Sequence, residues 1–210
     1  EGRRAAGQGG FLKDKRRRQR QLAEQVGPLS FTLSADPDML EMIIADKRAQ
    51  MRRTGQHDVF STPWTQDLLR RLNDDTDPDF GLRVAVLRAG DKVVAAEAGL
   101  LSGPVYHLWF PIYDPDFARY SPGALMTLET LRVLAEQGVA YADFGPGAED
   151  YKRAFADEGD EVVEGDVTAD PLVEGLRDLV RQSVAGSPRL HDHLRALYQR
   201  LDRRLDRIAA

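Results

Sequence analysis

The chain has 210 residues and a formal net charge of −5, which argues against general nucleic-acid binding because phosphate backbones attract basic surfaces. It contains no cysteine, which excludes disulfides, thiolate metal sites and a cysteine nucleophile, and its four histidines show no metal-ligand spacing. No apolar run approaches the roughly 18 residues that span a bilayer, and no signal-peptide pattern is present. We therefore expect a cytoplasmic protein that holds no metal.

The first 28 residues are predicted to lead into the domain. Residues 1–10 are polar and Gly-rich, which is typical of a disordered tail. Residues 11–28 are predicted to be a basic linker helix. The basic run at 13–20 indicates a solvated helix face, and contact with RNA, acidic lipid or a nucleotide is the alternative.

The rest of the chain alternates between strand and helix patterns. In order, these patterns predict a strand (29–33), two helices (35–53, 62–73), three strands (82–88, 92–101, 105–113), a helix (124–137), a short buried strand (139–144), a short helix (148–156), a strand (161–168) and two helices (171–184, 188–208). Pro111 cannot donate a ladder hydrogen bond, so its strand is expected to bulge or stop pairing there. The order predicts an α/β fold: a mixed, mostly antiparallel sheet flanked by helices, with a C-terminal helical extension at 169–210.

Two strand–turn–helix units carry the most informative residues. The first contains Arg119-Tyr120-Ser121-Pro122-Gly123-Ala124, in which Ser121 suits an N-cap, Pro122 suits the first helical position and Gly123 permits close approach. The unpaired N–H groups and the positive dipole end of such a helix favour a phosphate. The second unit is Asp143-Phe144-Gly145-Pro146-Gly147, followed by Tyr151 and Lys152. Together they predict a site for a phosphorylated cofactor.

This order, with a phosphate loop after the fourth strand, resembles the GNAT fold of acyl-CoA-dependent N-acyltransferases. The local residues are similar to the CelD-type branch, which is associated with cellulose and exopolysaccharide biosynthesis. The resemblance covers residues 29–168, the predicted acyltransferase domain, and rests on Tyr113-Asp114, Arg119-Tyr120-Ser121-Pro122-Gly123, Asp143-Phe144-Gly145-Pro146-Gly147 and Tyr151-Lys152.

The resemblance implies N-acyl transfer from acetyl-CoA or another acyl-CoA to an amine, such as that of a sugar or exopolysaccharide precursor. Members of this branch, and the related FemABX aminoacyltransferases, commonly carry two such lobes in tandem. The start at Glu1 and the basic helix resemble a C-terminal lobe, whose partner is a missing N-terminal lobe. The chain departs from the usual GNAT phosphate loop at Ser121-Pro122, where the proline removes one N–H group.

Four residues are candidates for proton transfer. The resemblance makes Tyr151 the acid for the leaving thiolate, and a packing tyrosine is the alternative. Asp143 ends a strand, where it can act as base, hold the acceptor or cap the next turn. Glu97 lies among alanines as a base, a substrate ligand or a half-exposed strand residue. His107 is suited to act as base near neutral pH, and we expect it within cross-strand reach of Glu97 unless it is structural.

The remaining candidates concern binding. Arg119, Ser121, Gly123 and Ala124 are predicted to hold the pyrophosphate of the cofactor, and Lys152 to meet a phosphate or an acidic substrate. Ordinary helix capping and a surface lysine are the alternatives. Tyr113, Asp114 and Trp64 are predicted to line the acceptor pocket, Trp64 by stacking on a sugar or adenine ring.

Two other functions stay open at this point. One is a FemABX-like aminoacyltransferase that uses charged tRNA, and the other is a non-catalytic GNAT-like lobe that binds a nucleotide or partner and regulates the missing lobe. Leucines recur at spacings of three or four in the last predicted helix, so a homodimer or partner contact through the C-terminal helices is also expected.

Overall fold

The structure is a computed structural model, and it describes residues 8–147 and 150–156 together with residues 159 and 161. Its elements are α1 (Gln8–Gln25), β1 (Leu29–Ser34), α2 (Pro37–Thr54), α3 (Pro63–Asn73), β2 (Phe80–Ala89), β3 (Lys92–Ser102), β4 (Val105–Tyr113), a 3-10 helix (Pro115–Tyr120), α4 (Pro122–Glu136), β5 (Tyr141–Asp143) and α5 (Asp150–Arg153). The predicted strand at 161–168, apart from residue 161, and the C-terminal helices at 171–184 and 188–208, with the dimer contact expected of them, lie outside the described residues.

The five strands form one sheet in the order β1-β2-β3-β4-β5. The first four pair antiparallel with their neighbours, and β4 pairs with β5 in parallel. A parallel pair needs a crossover connection, which α4 supplies. The predicted fold class, a mixed and mostly antiparallel sheet flanked by helices, is confirmed.

Helices cover both faces of the sheet because the strand interiors are apolar on both sides. On one face, Leu40 and Ile43 of α2 and Leu69 of α3 pack with Val84 and Ala96 of the sheet. On the other, α1 and α4 contribute the apolar residues Leu22, Leu125 and Met126, which pack against Ala85, Leu87 and Ala95. Helix α1, predicted as a linker, therefore supplies a fully buried leucine to the core of the domain.

The last described strand differs from its prediction. Residues 139–144 were expected to form a buried strand, but β5 is three residues long and lies at the edge of the described sheet, with Tyr141 and Asp143 exposed. That part of the prediction is wrong because an apolar run does not reveal which strands flank it. The exposure of Asp143 leaves its carboxylate accessible to a ligand.

Candidate active site

A cavity of about 760 Å³ opens where β4 and β5 separate. The two strands pair only from Val105 opposite Tyr141 to His107 opposite Asp143, after which β4 continues to Tyr113 paired with β3 and not with β5. The cavity is lined by α3, by the middle of β3 and β4, and by the segment from β5 to α5. Six predicted site residues are among its lining residues: Trp64, Glu97, His107, Asp143, Tyr151 and Lys152.

A β-bulge lies beside the cavity in β4. Ala98 of β3 pairs with Phe110 and the next residue, Gly99, pairs with Leu108, so Trp109 is the extra residue of β4. The expected irregularity is therefore present two residues before Pro111. Because a bulge bends its strand and redirects side chains, it helps to open the sheet at this point.

His107 and Asp143 form a polar pair at the last paired position of β4 and β5. The Nδ1 atom of His107 lies 3.1 Å from Oδ2 of Asp143, and Oδ1 of Asp143 accepts a hydrogen bond of 2.7 Å from the Gly145 N–H group. The Gly145 N–H, and after it His107, lower the pKa of Asp143. An anionic Asp143 favours the histidine tautomer that is protonated at Nδ1, which leaves Nε2 as a proton acceptor.

Glu97 lies apart from this pair, contrary to the expected cross-strand contact with His107. Glu97 is opposite Pro111, whereas His107 is opposite Leu100, three residues farther along β3. Both residues nevertheless line the same cavity. Burial raises the pKa of Glu97 to about 8, although the nearby positive charge of Lys47 opposes the shift.

Residues 10–153 match the family model of the acetyltransferase (GNAT) domain, which covers more than half of the chain. The chain belongs to this family. No curated protein matches the chain. The similarity to the CelD-type branch and to FemABX transferases remains a resemblance of short motifs.

Solved structures of GNAT and other proteins show a distant likeness in fold. An aminoglycoside acetyltransferase from an uncultured soil metagenomic sample, solved with sisomicin, is 15% identical with a TM-score of 0.47, over 70% of this chain and 99% of that chain. The C-terminal domain of a putative lysylphosphatidylglycerol synthetase from Agrobacterium fabrum is 14% identical with a TM-score of 0.45, over 71% of this chain and 44% of that chain. A tandem GNAT protein from the clavulanic acid biosynthesis pathway is 19% identical with a TM-score of 0.38, over 52% and 34% of the two chains.

The predicted phosphate loop of this GNAT domain forms the turn into α4, outside the cavity lining. Ser121 has φ of 56° and ends the 3-10 helix, so α4 begins at Pro122 without a side-chain cap. The guanidinium of Arg119 donates to the Tyr120 hydroxyl at 2.5 Å and lies 3.4 Å from the side-chain oxygen of Gln25 in α1. The N–H groups of Gly123 and Ala124 lie in the first turn of α4, where a helix offers no internal acceptor.

The other predicted binding residues are divided between the cavity and the surrounding turns. Trp64 and Tyr151 line the cavity with side chains that are more than half exposed. Lys152 also lines it, and its ammonium donates to the Pro146 carbonyl at 2.5 Å. Asp114 caps the 3-10 helix by accepting from the Asp116 N–H group, and neither Asp114 nor Tyr113 lines the cavity.

Three polar lining residues, Lys47, Thr65 and Thr127, had not been predicted from the sequence. Lys47 lies four residues after Ile43, on the stripe of α2 that faces the core, and a lysine on such a stripe was the signal that could have identified it. Thr127 lies one turn into α4, where it connects the cavity to the phosphate loop by donating to the Gly123 carbonyl at 3.0 Å. A threonine in an apolar helix offers no comparable signal.

Two general findings concern the described part of the chain. None of its helices is long and apolar enough to cross a membrane. It also contains no group of three or more side chains placed to hold a metal ion.

Proposed function

We propose that this protein is an N-acyltransferase that transfers the acetyl group of acetyl-CoA to an amine of a sugar or exopolysaccharide precursor. The pair of His107 and Asp143 in the opening between β4 and β5 is the observation that carries the proposal. An amine loses a proton as its nitrogen bonds to the thioester carbon, and an imidazole oriented by a carboxylate suits that transfer. The exposed rings of Trp64 and Tyr151 support a ring-shaped acceptor, which can lie against their faces.

In the proposed reaction, one residue that lines the cavity accepts a proton and another donates one. The amine nitrogen forms a bond to the acetyl carbon and gives its proton to Nε2 of His107, while Asp143 stabilises the resulting imidazolium. The carbon–sulfur bond then breaks, and the thiolate of CoA takes a proton from the Tyr151 hydroxyl. A phenol suits this step because its ordinary pKa of about 10 keeps it protonated at neutral pH.

The start of α4 is the proposed position of the pyrophosphate of CoA. A Cβ atom at Gly123 would meet nothing within 4 Å, so there is open space beside the first turn. The N–H groups of Gly123 and Ala124 and the positive end of the helix dipole favour a phosphate there. Pro122 offers no N–H group, so the contact depends on the residues after it.

Calorimetric titration with acetyl-CoA tests the cofactor site in wild-type protein, Gly123→Glu and Gly123→Gln. The two variants add side chains of nearly equal size, and only glutamate repels a phosphate. We expect saturable binding to wild type, retention within about tenfold in Gly123→Gln, and loss of at least a further tenfold in Gly123→Glu. Absence of binding to folded wild-type protein would overturn the acetyl-CoA proposal and favour the tRNA-dependent alternative.

Release of free thiol from acetyl-CoA, measured with a panel of amino sugars, tests the catalytic roles. We expect His107→Gln to lower kcat at least about 100-fold and Asp143→Asn to lower it less, because positioned proton transfer contributes about 100- to 10,000-fold. Asp46→Asn, an exposed acid of α2 outside the cavity, serves as control. Binding of acetyl-CoA without turnover in wild type would instead favour the regulatory-lobe alternative.

A further inference from the structure

Glu97 places an unsatisfied carboxyl group against the cavity. The residue is 1% exposed, and its Oε1 atom has no hydrogen-bond partner among the described residues. Buried carboxyl oxygens without partners are rare because the loss of hydration is not repaid. Since Glu97 also lines the cavity, a ligand that enters the cavity can supply the missing donor.

The backbone opposite Glu97 also lacks a hydrogen-bond donor. Glu97 is paired with Pro111, which has no N–H group to offer. The bulge at Trp109 interrupts the ladder one pair farther along. Strand β4 therefore offers no backbone N–H group at the position opposite Glu97.

The charged and titratable groups around Glu97 come from two neighbouring elements. Lys47 of α2 attracts its carboxylate, yet the Lys47 ammonium donates to the Gln50 side chain at 3.0 Å. Tyr106 of β4 is fully buried, and the charge of Glu97, after burial itself, raises the pKa of its phenol well above the ordinary value, while Arg83 opposes that shift. A protonated phenol near the carboxylate adds no negative charge.

Aromatic side chains also line the cavity. Among them are Phe60 and Phe110, whose ring centroids lie 5.0 Å apart. Aromatic faces attract cations, and a desolvated cation gains most from them. A cavity that holds both a buried carboxyl group and such rings has the composition of a binding site for an organic ammonium ion.

We propose that Glu97 binds the ammonium group of a primary-amine ligand in the cavity, and that Lys47, which lines the same cavity, is a positioning residue. The inference rests on the proposed function, because the ligand would be the acceptor of the acyl group. The bound ammonium loses two protons in the transfer: the Glu97 carboxylate takes the first, which leaves the neutral amine, and Nε2 of His107 takes the second as the nitrogen bonds to the acetyl carbon. The acceptors selected would carry a positive charge at neutral pH.

Titration of the whole chain with ethylammonium chloride tests this site without CoA. The carboxyl carbons of glutamate are labelled with ¹³C, and the Glu97 resonance is assigned as the one missing from Glu97→Gln. We expect a saturable shift of this resonance with ethylammonium, and none with ethanol or with sodium chloride at equal ionic strength. Affinity should be about tenfold higher at pH 9 than at pH 7, because the charged fraction of a group with a pKa of about 8 rises by that factor.

The variants separate binding from structural effects. Lys47→Met should raise the pH at which binding develops, because the attraction that favours the anionic carboxylate is lost. Lys92→Met is the control, since Lys92 lies over the Phe117 ring and outside the cavity. Absence of a saturable shift in folded wild type, or unchanged pH dependence in Lys47→Met, would overturn the proposal. If wild-type protein bound ethylammonium but not acetyl-CoA, the result would contradict the proposed function and would leave the Glu97 site supported.

Discussion

Two carboxyl groups of this GNAT domain line the same cavity in opposite environments. Asp143 is exposed and accepts hydrogen bonds from Gly145 and His107, so its pKa lies below the ordinary value. Glu97 is buried, and its pKa is raised to about 8. Two titratable groups whose pKa values are shifted in opposite directions are suited to different roles. The pattern agrees with Asp143 orienting an imidazole and Glu97 meeting a cation.

Burial of Glu97 predicts a dependence of stability on pH. Its pKa rises from 4.5 to about 8 on folding, so the folded state binds the proton more tightly. The contribution of this group to the free energy of unfolding is therefore complete below about pH 4.5 and is lost as the pH rises through about 8. We expect Glu97→Gln, which does not titrate, to gain stability over wild type across this window, by an amount on the order of a few kcal/mol.

Urea unfolding of both proteins at pH 5, 6.5 and 8.5 measures this difference. Groups outside the site titrate alike in the two proteins and cancel in the comparison. A difference between them that stays constant with pH would contradict the raised pKa of Glu97.

Helix α1 was predicted to be a linker, but in the structure it packs as part of the domain. Its basic residues are partly neutralised within the helix, since Asp14 pairs with Arg17 at 2.7 Å and with Arg18 at 2.8 Å. Arg18 also donates to the carbonyl of Arg119, the first residue of the predicted phosphate loop. At the other end of the helix, Phe11 packs edge-on against Phe155, at 5.4 Å between centroids. The helix thus contacts both the predicted phosphate loop and the segment that follows α5.

Substitutions in α1 test its place in the core. Leu22 is fully buried, whereas Leu12 in the same helix is 41% exposed. We expect Leu22→Ala to lower the free energy of unfolding by about 2–5 kcal/mol, and Leu12→Ala by well under 1 kcal/mol. Chemical denaturation of the two variants measures both values. Equal small effects would indicate that α1 is a linker, as its charge pattern had predicted.

At the scale of the whole molecule, the cavity results from the topology of the sheet. The parallel pairing of β4 and β5 is only three residues long, and it ends at His107 and Asp143, the proposed catalytic pair. All lining residues of the cavity lie at or before Lys152, and the family match ends at residue 153. The described elements all belong to one compact unit, Glu1–Asp160.

This placement predicts that the unit is sufficient for binding. A chain that ends at Asp160 is expected to unfold cooperatively and to bind acetyl-CoA within about threefold of the whole chain, since the core clusters and the cavity lie within it. A chain that ends at residue 140 lacks β5 and serves as the matched control, because it loses Asp143 and one wall of the cavity. If the chain that ends at Asp160 were unfolded, residues after 160 would be needed for the fold.

Much of the site was accessible from the sequence because its residues lie at the ends of elements with clear periodicity. Glu97 stood out as an acid among alanines, and Asp143 as the end of an apolar strand before a glycine turn. Lys47 was missed because a single lysine on a helix is ordinarily a surface residue. The partner of His107 was also missed, because strand register is not set by residues that neighbour one another in the chain.

The amino-acid sequence by itself determined the fold class and the order of the elements, since hydrophobic period, turn residues and helix-start residues act over a few positions. The small residues of β3 also allow close packing. At Gly99, for example, the phenol ring of Tyr106 occupies the space that a Cβ atom would need. Only the tertiary structure decided which polar groups meet. The pairing of His107 with Asp143, and of Glu97 with Pro111, depends on contacts between segments far apart in the chain, which local patterns do not encode.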